Sequence, residues 1–301
     1  MDHKSRIMHA IQRLPVDRIP CAELVINDAL VQEFCGKVTV GFEHRLYFIQ
    51  TMGLDAMCLH PCGMNPGGGS PTLPDNLVFN DLEAWTRTGH FIFAVLDGPI
   101  GWGTKTLGYN QMLSKLMRSS PDMTDLVSAV DVLNAETIHR LAANGVNGII
   151  IADDIAFTNG VIARPNILRQ LLFPSFSRSV EQAKKENLFT FFHSDGNLMA
   201  VLDDIVAAGF DGLQCLESIA GMDIALIKKH YGHKLCLWGN LDPGELCLVR
   251  SRNELMEKVH GIINVAGNDS GLIFGTSSGL FEGMRLESLK CVYEFVQQGL
   301  N

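Results

Sequence analysis

Leu188-Phe189-Thr190-Phe191-Phe192-His193-Ser194-Asp195-Gly196-Asn197 is an apolar run that stops at an imidazole, a hydroxyl and a carboxylate, after which a glycine turns the chain. Leu198, Val201, Leu202, Ile205 and Val206 then recur at helical spacing as far as Gly209, with Asn197 placed as the N-cap. A buried strand that hands over to a helix puts His193 and Asp195 at its C-terminal end. That is where ligands bind in open α/β sheets and in (β/α)8 barrels. The competing explanation is a satisfied core histidine beside a turn aspartate.

The same pattern recurs on both sides. Short apolar runs lead to Glu23, to His60 after Ala56-Met57-Cys58-Leu59, and to Asp97 after Phe91 to Leu96. Gly148 to Ala152 ends on Asp153-Asp154, Gly212 to Leu216 on Glu217, Leu235 to Trp238 on Gly239-Asn240-Leu241-Asp242, and Leu272 to Phe274 on Gly275-Thr276-Ser277-Ser278. Helical patterns separate the runs: Ile7 to Leu14, Leu30 to Phe34, Phe42 to Met52, a long one opened by Ser120-Pro121 and closed by Gly145, and Leu168 to Lys185, bent near Pro174. Ile224 to His230, Glu254 to Val265 and Leu286 to Val296 complete the series. Eight strands alternating with helices, with no repeat or linker dividing them, predict an α/β chain folded as a single (β/α)8 TIM barrel over residues 1–301. Pro61 to Pro74, with Pro66-Gly67-Gly68-Gly69, reads as a long loop or lid; it lacks the helix-opening context of a phosphate-binding loop.

Composition narrows the function classes. A 301-residue chain with 47% hydrophobic residues can bury a large core, and a net charge of −9 without a basic stripe argues against nucleic acid or an anionic membrane as partner. No unbroken apolar stretch follows the charged start Met1 to Arg6, and none has the length of a membrane span. The eight cysteines sit mostly in apolar patterns, as at Cys21, Cys215, Cys236 and Cys291, so the expectation is a cytoplasmic protein without a disulfide framework.

In a barrel the strand ends meet in one mouth, here with Glu23, His60, Asp97, Asp153 or Asp154, His193, Asp195, Glu217, Asn240 and Asp242. Carboxylates at close range disfavour one another unless a cation or proton is shared, and imidazole with carboxylate suits zinc. His193-x-Asp195 with Glu217 is therefore a candidate metal set. Cys58-Leu59-His60-Pro61-Cys62 also has ligand types at close spacing, but ordinary packing explains it better. Trp102, Tyr109 and Trp238 are read as core aromatics before they are read as walls of a site.

Pro15-Val16-Asp17-Arg18-Ile19-Pro20, His193-Ser194-Asp195-Gly196-Asn197, Glu217 after an apolar strand, and Gly239-Asn240-Leu241-Asp242 together resemble the uroporphyrinogen decarboxylase superfamily over nearly the whole chain. The resemblance implies the same barrel, often paired as a homodimer, and two kinds of chemistry. True uroporphyrinogen decarboxylases use no cofactor and grip substrate carboxylates with an Arg-Gln-Ala-Gly-Arg motif after the first strand. Here Glu23-Leu24-Val25-Ile26-Asn27-Asp28 stands at that place, and Lys105 is the nearest cation. Corrinoid-dependent methyltransferases pass a methyl group between a small substrate, a cobalamin-carrying protein and an acceptor, and their coenzyme M branch holds zinc with His-x-Cys-Gly and a later Cys. In this chain those cysteine positions read Asp195 and Thr276-Ser277-Ser278.

The resemblance thus implies a metal-dependent methyltransferase with an oxygen-rich zinc site of His193, Asp195 and Glu217, and Asp154 and Glu217 as acid–base groups. Glu23, His60, Asp97, Asn240 and Ser277 would face a small methyl donor or acceptor, with a corrinoid protein as partner. The alternatives are a cofactor-free decarboxylase of porphyrin biosynthesis and a binding protein that has kept only the barrel.

Overall fold

The structure is a computed structural model that describes residues 1–62, 73–248 and 251–298. Most of the expected Gly/Pro-rich loop, residues 63–72, lies outside the described residues. The strands are β1 (Ala56–Leu59), β2 (Phe91–Asp97), β3 (Gly148–Ala152), β4 (Ala156–Phe157), β5 (Gly160–Val161), β6 (Phe189–His193), β7 (Gly212–Gln214), β8 (Cys236–Leu241) and β9 (Leu272–Thr276). The helices are α1 (His3–Ile11), α2 (Asp28–Cys35), α3 (Phe42–Met52), α4 (Leu82–Thr86), α5 (Pro99–Leu107), α6 (Tyr109–Met117), α7 (Pro121–Ala143), α8 (Pro165–Leu171), α9 (Phe173–Lys185), α10 (Leu202–Ala208), α11 (Ile224–Tyr231), α12 (Gly244–Cys247), α13 (Arg252–Ala266) and α14 (Leu286–Gln298). The chain forms two compact units, Met1–Cys58 with Glu83–Ile92 and Gly212–Asn301, and Leu59–Leu82 with Phe93–Asp211.

In the second unit β2, β3 and β6 run parallel, with Asp97 opposite Ala152 and Ala152 opposite His193. Phe91 to Leu96, Gly148 to Ile151 and Thr190 to His193 are buried at every position, the pattern of strands covered on both faces. Phe93 meets Phe191 edge-on at 5.3 Å, and Phe192 lies between Phe176 of α9 and Phe210 at 5.1 and 5.4 Å. Burying one such ring contributes about 1.5–3 kcal/mol. The expected bend near Pro174 is a break between α8 and α9. Pro174 has no N–H to continue the ladder, so Leu172 ends one helix and Pro174 begins the next in its first turn.

In the first unit β7, β8 and β9 are parallel, Leu213 facing Leu237 and Leu237 facing Leu272. The first expected strand, ending at Glu23, is present only as an isolated parallel bridge, Cys21 to Phe274, with a second bridge, Ile26 to Leu280, beyond its end. A carboxylate competes for its ladder: the Cys21 N–H donates to Asp55 Oδ2 at 2.9 Å. Asp55, fully buried, also accepts from Arg6 Nη1 at 2.6 Å and from Arg18 Nη1 at 2.8 Å, with His3 Nδ1 at 2.8 Å. Burial pushes its pKa up, and these donors outweigh that effect to hold it below the usual carboxylate range. The Arg18 of the opening motif is thus spent on the core. Helix α1 starts earlier than expected because Asp2 caps it through the Ser5 N–H, and it stops before Arg13, whose φ is +59°. No helix among the described residues is long and apolar enough to cross a membrane.

Candidate functional site

The parallel register of β3 and β6 brings two strand ends side by side. The ladder runs one residue past β3, where Asp153 N donates to His193 O at 2.9 Å. Alternation along the strand then sends Asp153 and Asp154 to opposite sides. Asp154 is exposed, and its Oδ1 accepts from Asp195 N at 3.1 Å while lying 3.9 Å from Nε2 of the buried His193. One ligand-type atom from each of Asp154, His193 and Asp195 falls within 4.8 Å of the others. The structure brings these three predicted residues together.

The backbone around the cluster is fixed from within. Ser194 Oγ, buried, accepts from Ile155 N at 3.1 Å and donates to Asp195 O at 2.8 Å, tying both strand exits to one hydroxyl. The two-residue strands β4 and β5 pair as an antiparallel hairpin, not expected from the sequence, that lies on the next turn. Phe157 O accepts from Asn197 N at 2.8 Å, and a Cβ on Gly196, whose φ is +87°, would meet that oxygen at 2.7 Å. Only glycine fits there. Asn197 is not the N-cap expected of it: its Oδ1 accepts from Met199 N at 3.0 Å, but the chain enters a 3-10 turn with Leu198 at its N-cap, and α10 begins only after Val201. Tyr109 and Phe157, both exposed, meet edge to face at 6.4 Å beside this hairpin.

Asp153 has a different environment. It is buried, and its carboxylate accepts from Ile100 N at 3.2 Å and Gly101 N at 2.8 Å in the first turn of α5. Burial pushes its pKa well above the usual range, with Asp154 and Asp97 adding to the rise and the two N–H donors opposing it. Gly98 makes room, since a Cβ there would lie 2.4 Å from Asp153 Cγ. Asp97 pairs with Lys105 Nζ at 2.5 Å, and that ammonium sits 5.4 Å from the centre of the buried Trp102 ring. His60 is exposed just after β1, and burial raises the Cys58 thiol well above its ordinary range, unlike a ligating thiolate.

The remaining predicted residues lie in the first unit. Glu23 is buried: Oε1 accepts from Thr276 N at 2.8 Å and Tyr293 Oη at 2.6 Å, and Oε2 from Thr276 Oγ1 at 2.5 Å. Burial pushes its pKa up to about 7 against these donors. Asn240, buried in β8, donates from Nδ2 to Leu216 O at 3.0 Å. Ser277, buried after β9, donates its N–H to Leu241 O and accepts from Gln214 Nε2 at 3.1 Å through its carbonyl. Glu217 is partly exposed after β7 and precedes a 3-10 turn, Ser218–Ala220. Trp238 is core, its Nε1 donating to Ala22 O at 2.9 Å.

Parallel strands with ionisable residues at their C-terminal ends are the layout of an α/β enzyme site. The family model for uroporphyrinogen decarboxylase (URO-D) matches residues 92–299, and the chain belongs to this family. Among curated relatives, the uroporphyrinogen decarboxylase of Chlorobium chlorochromatii is 26% identical over 71% of this chain and 57% of its own. The methylcobamide:CoM methyltransferase MtaA of Methanosarcina barkeri is 27% identical over 60% of this chain and 52% of its own. The matched region is thus a little over half the length of these relatives. A solved methyltransferase from Methanosarcina mazei has the same fold, with a TM-score of 0.78 at 17% identity and 99% of each chain covered.

Proposed function

We propose that the chain is a metal-dependent methyltransferase of the URO-D family, moving a methyl group between a small molecule and a corrinoid protein. The observation that carries this reading is the Asp154, His193 and Asp195 cluster. Imidazole nitrogen and carboxylate oxygen are donors that zinc accepts, so the residues fit the metal that the resemblance implies. Likeness to MtaA and to a methyltransferase fold supports the direction of the assignment. The sequence Glu23 to Asp28, in place of an arginine motif, argues against gripping a polycarboxylate.

In this reading His193, Asp195 and Asp154 hold the ion, and Glu217 is assigned to the same site from the strand-end pattern of the sequence and the resemblance. Zinc when bound supplies Lewis acidity to a methyl-bearing or acceptor atom. The protein's own groups orient it: Ser194 fixes the separation of the two strand exits, and the Asp195 N–H steadies Asp154. Asp153, its pKa raised by burial, lies on the other face of the same strand end, where Ile100 N and Gly101 N hold its carboxyl. His60, Asp97 and the hydroxyl of Ser277 are assigned to the small substrate. The chain is read as one (β/α)8 barrel of the cytoplasm, with a homodimer as its expected assembly.

A second reading, decarboxylation without a cofactor, is favoured by the several curated relatives that carry the uroporphyrinogen decarboxylase name. Metal content separates the two. After zinc loading and gel filtration, about one ion per chain in the wild type, lost in His193→Ala and Asp195→Ala, supports the first, together with methyl transfer from methylcobalamin to a thiol acceptor. No retained metal and turnover of a porphyrinogen would establish the second.

A further inference from the structure

The end of β7 is held in a conformation that its residues disfavour. Cys215 has φ +102° and Leu216 φ +56°, two successive non-glycine residues on the left-handed side immediately before Glu217. Such backbone persists only where the surroundings over-determine it. Here the surroundings are the neighbouring strand β8. Gly239 lies so close that a Cβ on it would sit 2.5 Å from Cys215 O, and the next residue, Asn240, donates its buried Nδ2 to Leu216 O at 3.0 Å. On the far side of Glu217 the carbonyl accepts from Ala220 N at 3.0 Å and Met222 N at 3.2 Å. The peptide carrying Glu217 is therefore pinned before and after the side chain.

From this arrangement we infer that Asn240 is a positioning residue that, with Gly239, clamps the strained 215–216 backbone and so aims Glu217. The inference rests on the reading that Glu217 serves the metal site. It changes the part expected of Asn240, whose amide nitrogen is directed at main chain and not at substrate. A cavity of about 420 Å³ lies beside the clamp, lined by Ser218, Asn240, Leu241 and Asp242 among others. Without the Nδ2 donor the left-handed peptides relax towards extended backbone and turn the Glu217 carboxylate away.

The test is a double-mutant cycle on zinc affinity by competition with a chelator, alongside the turnover number and KM. Glu217→Gln, Asn240→Ala and the double variant are compared with wild type. Asn240→Asp, which keeps the volume but removes the donor, replaces the Ala variant if the latter does not fold. The expected result is a loss of zinc affinity of about tenfold or more for each single variant, the size found when partners that orient a ligand are removed, and no further loss in the double. Cys215→Gly, which removes the strain at one of the two residues, should recover part of the affinity in the Asn240→Ala background. Losses that multiply in the double variant, or unchanged affinity in Asn240→Ala and Asn240→Asp, would overturn the clamp while leaving Glu217 in place. Unchanged affinity in Glu217→Gln would remove Glu217 from the metal site and the inference with it.

Discussion

Glu23→Gln should remove a pH dependence of stability that the wild type carries. The Glu23 carboxylate is buried and its pKa lies at about 7 in the folded chain, against 4.5 for a free glutamate. The folded state therefore binds a proton that the unfolded state has released across this window. Stability from this group is complete below about pH 4.5, falls as pH rises, and is gone above about pH 7. Integrating the two titrations between pH 5 and pH 8 gives a loss of about 2–3 kcal/mol, equivalent to roughly 4 °C in Tm for a chain of this size. Gln keeps an oxygen for Thr276 N and Tyr293 Oη and offers an N–H to Thr276 Oγ1, so packing is preserved. Thermal melts of both proteins at pH 5 and 8 cancel every other titrating group in the difference. Wild type should lose about 4 °C more than the variant on going to pH 8; equal losses would refute the assignment of a buried, proton-binding Glu23.

Asp55→Ala strips the shared acceptor from Arg6, Arg18 and the Cys21 N–H, and denaturant titration should report a loss of about 3–5 kcal/mol. Ser194→Ala leaves the buried Ile155 N–H without its acceptor, so it should cost about 1–3 kcal/mol and weaken zinc binding by about tenfold; zinc affinity equal to wild type would show that the hydroxyl does not set the site's geometry. In Gly98→Ala the new methyl collides with the Asp153 carboxyl, and the melt should show about 1–3 kcal/mol of destabilisation, which a strain-free substitution would lack.

The strands were readable because their causes are local. Gly148 to Ala152 is an uninterrupted apolar run, and Leu188 to Phe192 is apolar except for Thr190 and stops at His193; the structure has strands at both places with ends within a residue of those expected. What the sequence left undecided depends on distant partners. Cys21 reads as strand, yet its N–H is taken by Asp55, 34 residues later. Asp153 and Asp154 are chemically identical in sequence, and only the position of α5 buries one and the register with β6 exposes the other beside His193. The turn Ala156-Phe157-Thr158-Asn159-Gly160-Val161 is too short to give a periodic signal, so its hairpin was not foreseen. His193 and Asp195 were legible as a pair because one strand end carries both; Asp154 became their neighbour through β3–β6 pairing, which no linear spacing encodes.

That hairpin has a consequence for how the family can diversify. Its base is fixed, since Phe157 O holds Asn197 N and Gly196 admits no larger residue beneath it. Its tip, Thr158-Asn159, is exposed, and surface tips of this kind absorb insertions at little cost to the framework. Lineages can therefore lengthen or rewrite the tip while inheriting the two strand ends unchanged. New substrate preferences would be expected to arise by changes in length at this point before they arise by substitution in the strands.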